Sequence, residues 1–93
     1  MKTEMRATDM RLLRALATRG AIQRRVRVTT SDLSKELGVS QQAASTALIR
    51  QEKRGFVERA MAARGQHVKM TRAGVAVLKA DYLAYKRIFE DAG

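Results

Sequence analysis

Thr30-Ser31-Asp32-Leu33-Ser34-Lys35-Glu36-Leu37-Gly38-Val39-Ser40-Gln41-Gln42-Ala43-Ala44-Ser45-Thr46-Ala47-Leu48 decides the fold of this chain. Its spacing predicts two short helices joined by a tight turn. Thr30 or Ser31 can cap the first helix by accepting from its free N–H groups. Leu33 and Leu37, four apart, share one face of that helix. Gly38 supplies the permissive backbone of a sharp exit, Val39 plugs the corner, and Ser40 caps the second helix. Cap, apolar pair, glycine, apolar corner and new cap in so short a span form a helix-turn-helix signature.

The second helix divides cleanly on a helical wheel. At about 100° per residue, Ala44, Ala47, Leu48 and Gln51 fall on one side. Gln42, Thr46, Ile49, Arg50 and Lys53 fall on the other, flanked by Gln41 and Ser45. The alanines let this helix approach its neighbours closely. The opposite face carries amides, hydroxyls and cations, the groups that bond base edges and phosphates. A merely solvated face is the plain alternative, but uncharged Gln, Ser and Thr are weak choices for solubility alone.

Upstream, residues 1–7 are basic and expected to be frayed or loosely helical. Thr8 or Asp9 can cap a helix running to about Arg19, with Leu12, Leu13, Leu16 and Ala17 buried and Arg11, Arg14 and Arg19 solvated. Gly20 closes it, and after a basic connection Val26-Arg27-Val28 reads as a very short strand. Arg24, Arg25 and Arg27 suit either a phosphate backbone or a solvated loop.

Downstream, Gly55 ends the second motif helix. Val57–Met61 and His67–Met70 read as antiparallel strands, with Ala62–Gln66 as their turn and Gly65 free to take positive φ. Arg64 lies at the tip, supported by Arg59 and Lys69; His67 reads as a surface strand residue. Thr71 caps the last helix. Its stripe of Val75, Leu78, Tyr82, Tyr85 and Phe89 suffices to dock it on its own domain. A second stripe of Val77, Ala84 and Ile88 suits either another surface, such as a second subunit, or scattered exposure.

The composition narrows the function classes. Ninety-three residues suit a single domain, 1–93, and a 45% hydrophobic share can supply a core. The absence of cysteine excludes disulfides and thiolate metal sites, and a lone histidine builds no metal cluster. No apolar run is long enough to span a membrane, so a cytoplasmic protein without membrane contact is expected. The net charge of +10 favours a polyanionic partner, nucleic acid above all. No nucleophile–base set, ligand cluster or phosphate-cradling glycine loop is present, so no cofactor and no catalysis are expected.

The order helix, strand, helix-turn-helix, hairpin, helix is similar to winged helix-turn-helix transcription regulators, including the MarR-like group. The chain resembles most closely the amino-terminal domain of archaeal CTP-dependent riboflavin kinases that double as regulators. The resemblance rests on Leu37-Gly38-Val39-Ser40-Gln41-Gln42-Ala43-Ala44-Ser45, Arg64-Gly65-Gln66, Thr71-Arg72-Ala73-Gly74 and the closing Tyr82, Tyr85, Ile88 and Phe89. It implies a mainly α fold with a small β-hairpin wing (α+β). The helix-turn-helix would span about 30–54, the wing about 56–70 and the last helix about 72–91. Two departures stand out. Gln51 occupies a position usually apolar in such regulators, and the chain ends where a fused kinase domain would begin, so no kinase activity carries over.

The expected function is that of a sequence-specific regulator of double-stranded DNA, with an unknown effector. Ser40, Gln41, Gln42, Ser45 and Thr46 would lie near base edges; Arg50, Lys53 and Arg54 would hold flanking phosphates; Arg64 would act from the wing. A homodimer through the terminal helices is expected from the second stripe. The alternatives are a regulatory domain or fragment of a riboflavin kinase lacking its catalytic part, and a winged-helix module for protein or RNA contacts.

Overall fold

The computed structural model describes residues 5–92; the start of the basic leader, residues 1–4, lies outside them. Four helices and three strands follow in order: α1 (Ala7–Thr18), β1 (Val26–Val28), α2 (Thr30–Leu37), α3 (Gln41–Lys53), β2 (Val57–Met61), β3 (Gln66–Met70) and α4 (Arg72–Ala92). This is the expected α+β winged helix-turn-helix. The sheet is antiparallel with order β1-β3-β2, Val26 facing Val68 and Val57 facing Met70. Gln66, expected in the turn, is the first residue of β3.

One core joins all the layers. Leu12, Leu13 and Leu16 of α1 meet Leu33 and Leu37 of α2, Ala44, Ala47 and Leu48 of α3, and Val28, Val57, Val68 and Met70 of the sheet. The turn between α2 and α3 forms as its residues dictate. Gly38 takes φ 68°, Val39 packs against the core, and the Ser40 hydroxyl accepts from the Ala43 amide at 3.0 Å. The expected cap of α2 shifts by one residue, because the Thr29 hydroxyl accepts from the Asp32 amide at 3.0 Å. Three hydroxyl residues in a row leave that boundary open to sequence reading.

The start of α1 requires a larger correction. Its cap is Arg6, which makes no side-chain capping bond; Thr8 and Asp9 lie inside the helix, and Asp9 is fully buried. Arginines expected to be solvated instead tie elements together. Arg11 donates to the Leu37 carbonyl at the end of α2 at 2.8 Å, and Arg19 reaches Glu36 at 2.7 Å.

The last helix is capped by Thr71, whose hydroxyl accepts from the Gly74 amide at 3.1 Å. Val75, Val77 and Leu78 pack against the core. Beyond them the expected stripe is only partly covered: Arg14 of α1 pairs with Asp81 at 3.2 Å and lies over the Tyr85 ring, while Tyr82, Tyr85 and Phe89 are 60%, 51% and 75% exposed, and Ile88 is exposed with them. A helix of 21 residues runs roughly 30 Å, so only its first turns lie over a core this small.

Candidate nucleic-acid interface

The centre of the site is α3, held from beneath by Ala44, Ala47, Leu48 and Gln51, all buried. With that side fixed, Ser40, Gln41, Gln42 and Thr46 are exposed and Ser45 is half-buried beside them. Ser40, Gln42, Ala43, Thr46 and Arg50 line a shallow groove of about 350 Å³ whose far wall is Val39, Arg6 and Thr8. Lys53 is exposed in the last turn of α3. Gln41, Ser45 and Lys53 are outside that groove's lining.

Arg50 and Arg54 are placed differently from the free phosphate-holding cations that their sequence position suggests. Both turn toward Asp9 on α1. Arg50 Nε donates to the two Asp9 oxygens at 3.2 and 3.0 Å, and Nη2 donates to Oδ1 at 2.7 Å. Arg54 Nη1 donates to Oδ2 at 3.3 Å and lies 3.0 Å from the Met5 sulfur. Burial alone would raise the Asp9 pKa. The hydrogen bond and charge of Arg50, the charge of Arg54 and a hydrogen bond from Gln51 outweigh it, so the carboxyl sits below its ordinary range. The same bond to Asp9 holds the Arg50 pKa above its ordinary value.

The wing is anchored at both ends. Arg59, expected to support the tip, instead donates inward to Glu52 of α3 at 3.0 Å and to Gln66 at 2.6 Å. At the tip Gly65 takes φ 89°, and a Cβ there would collide with the Val28 carbonyl oxygen. The hairpin is therefore pressed against the end of β1, just before the cap of α2. Arg64 is exposed on this turn, while His67 is exposed opposite Arg27.

Sequence reasoning missed Asp9 as an ion partner, and Arg6 and Thr8 as walls of the groove. One signal for Asp9 was present. It precedes Leu12, Leu13 and Leu16 by three, four and seven residues, which puts a carboxylate on the buried stripe of its helix.

Helix, three-stranded sheet and paired motif helices in this arrangement define a winged helix-turn-helix domain, and the comparisons assign its family. The model of the MarR family matches residues 5–66, and the chain belongs to that family. The riboflavin kinase of Methanosarcina acetivorans is 38% identical over 81 residues, covering 87% of this chain and 34% of the kinase. That of Archaeoglobus fulgidus is 33% identical over 84 residues, covering 90% and 36%. This chain thus spans about a third of the length of these curated relatives, and what it comprises is a winged-helix domain rather than a catalytic one. Among solved structures, MepR, a transcription regulator of the Staphylococcus aureus multidrug efflux pump MepA, superposes with a TM-score of 0.81 at 17% identity, covering 96% of this chain and 64% of MepR. Streptococcus pneumoniae FabT in complex with DNA gives 0.73 at 23% identity, covering 96% and 60%. Both likenesses are of fold. No helix among the described residues is long and apolar enough to cross a membrane.

Proposed function

We propose that this chain acts as one winged-helix unit, in the cytoplasm, as a sequence-specific transcription regulator of double-stranded DNA. The observation that carries the proposal is the exposed amide and hydroxyl face of α3, capped by Ser40 and seated on a fully buried alanine-leucine side, in a chain of net charge +10. A helix so presented fits the major groove, where Gln41, Gln42, Ser45 and Thr46 meet base edges. Lys53 meets phosphate directly. Arg50 and Arg54 do so with the charge of Asp9 already upon them, and Arg64 acts from the wing. FabT, of the same fold, is recorded in complex with DNA, which supports this reading. Selection of bound sequences from a random duplex pool tests it. An enriched motif is expected; equal retention of all duplexes, or a preference for RNA, overturns it.

The exposed Tyr82, Tyr85, Ile88 and Phe89 support a homodimer paired through the terminal helices. A second reading, a regulatory domain of a riboflavin kinase, is favoured by the 38% identity that spans only a third of the Methanosarcina acetivorans protein. A coding sequence continuing past Gly93 into a kinase domain would establish it. The two readings are compatible at the level of the α3 surface.

A further inference from the structure

Asp9 is the one fully buried acid among the described residues, and it lies beneath the proposed reading helix. Arg50 and Arg54, one helical turn apart, both converge on it from α3. A guanidinium carries five N–H donors in a rigid plane. Asp9 engages the Nε edge of Arg50, using Nε–H and one hydrogen of Nη2. Three donors remain, both on Nη1 and one on Nη2. The Arg50 side chain is 25% exposed, and it lines the groove together with Gln42 and Thr46 of α3 and its cap Ser40, and Thr8 of α1 and its cap Arg6. A cation gripped along one edge cannot wander with the phosphates of any passing duplex; its remaining edge points along one direction.

We propose that Asp9 is a positioning residue for DNA recognition: it holds Arg50 as a fixed fork in the α1–α3 groove, where Arg50, Arg6 and Thr8 seat one backbone phosphate and so set the register at which Gln42 and Thr46 meet bases. The inference rests on the duplex-DNA reading above. Phosphate contacts fix orientation and base contacts carry sequence, so a phosphate seat of defined position translates into discrimination. Asp9 also cancels one of the two arginine charges and thereby lowers attraction to DNA of any sequence. Two opposite effects follow from its removal. Non-specific affinity rises, and selectivity falls. A role confined to stability would lower both affinities together.

The test compares the unmodified protein, Asp9→Asn and Arg50→Lys on a selected operator, its point variants and a scrambled duplex. The titrations run over a salt series at a temperature where circular dichroism shows each protein folded. Asp9→Asn is expected to bind the scrambled duplex more tightly, to steepen the salt slope by about one unit, and to cut the operator-to-scrambled ratio about tenfold. Arg50→Lys keeps the charge but loses the two-pronged bond, so the ratio is expected to fall while the salt slope is kept. Should Asp9→Asn fail to fold, Arg50→Lys decides. A selective unmodified protein whose folded variants keep the full ratio, or lose operator and scrambled binding equally, overturns the role of Asp9 and leaves the regulator reading standing. An unmodified protein that prefers no duplex overturns both.

Discussion

Gly74, in the first turn of α4, lies against the carbonyl of Phe56, so closely that a Cβ would overlap that backbone group. Around this contact the Thr71 hydroxyl accepts from the Gly74 amide at 3.1 Å and donates to the Gly55 carbonyl at 2.5 Å, while the Thr71 amide bonds Phe56 at 3.0 Å. The end of α3, the entry to the wing and the start of α4 are thus locked at one point.

Gly74→Ala should therefore destabilise the fold by about 2–3 kcal/mol, because the obstruction is backbone and cannot swing aside. Alanine is the better helix former, so propensity alone predicts the opposite sign. Urea denaturation measures the difference; an unchanged or raised midpoint would show that α4 shifts without cost.

The pair Asp9–Arg50 makes a pH prediction. The folded Asp9 carboxyl titrates below its ordinary value, so its contribution is fully present above the usual aspartate range and is lost as pH falls through the lowered folded pKa. Asp9→Asn should lower stability near neutral pH by on the order of 2–3 kcal/mol, less than a wholly buried pair because both arginines are about a quarter exposed. The gap between the two proteins should close as pH falls below the ordinary aspartate range. Denaturation midpoints from pH 7 downward check this, and a constant gap would contradict it.

Gln51 sits in the same network. Its Nε2 donates to the Ala47 carbonyl at 3.2 Å and helps hold the Asp9 pKa down, while its buried Oε1 has no hydrogen-bond partner. Gln51→Leu removes an unpartnered oxygen, a gain of roughly 1–3 kcal/mol, and the bond to Ala47 together with the support of the Asp9 charge, a loss of about 1–2 kcal/mol. The stability change should stay within about 1 kcal/mol. Gln51→Glu would set a second carboxylate beside Asp9 and should be far more damaging. Equal midpoints for these two variants would show that Gln51 does not face Asp9.

How far the sequence carried depended on the range of each interaction. Gly38, Val39 and Ser40 were legible because a turn and a cap are settled within four residues. Asp9 was not, since its partners lie 41 and 45 residues away. A capping role was the local reading available for an acid near a helix start. Arg11 and Arg19, expected to be solvated, and Arg59, expected to support the wing tip, were misplaced for the same reason: a long cation shows no partner until the neighbouring carbonyl or carboxylate is in view. In α4, periodicity correctly grouped Val75, Leu78, Tyr82, Tyr85 and Phe89 on one stripe. It could not show that buried packing ends near Leu78, with only Arg14 of α1 reaching further, to Asp81 and the Tyr85 ring. At the proposed interface, the exposure of Gln42 and Thr46 followed directly from the burial of Ala44, Ala47 and Leu48 on the opposite side. The groove wall supplied by Arg6 and Thr8 depends on how α1 crosses α3, which no local pattern encodes.

That exposed stretch makes a prediction of its own. If Tyr85, Ile88 and Phe89 pair with a second copy, Ile88→Glu with Phe89→Glu should give a monomer in sedimentation at micromolar concentration. Its thermal stability should match that of the dissociated unmodified protein, because both side chains are exposed. An unmodified protein that sediments as a monomer with and without DNA would refute the pairing.

The final prediction separates reading from holding. Gln42 is exposed in the first turn of α3, at the end of the helix that can enter a major groove, and lies in the groove beside Thr46. An amide can bond adenine N6 and N7 together, and losing that pair costs about 1–3 kcal/mol at one position. Arg64 stands on a turn that Gly65 presses against the Val28 carbonyl, so its base is fixed while its long side chain is exposed. Gln42→Ala should flatten preference at one or two base pairs and leave affinity for a scrambled duplex nearly unchanged. Arg64→Ala should weaken binding to all duplexes and reduce the salt slope by roughly one unit. Titrations of both variants against a selected operator, its point variants and a scrambled duplex over several salt concentrations distinguish the two. If Gln42→Ala weakens every duplex alike, α3 is not reading bases at that residue. If Arg64→Ala alters base preference while the salt slope stays constant, the wing is the reading element and the roles assigned to α3 and the hairpin must be exchanged.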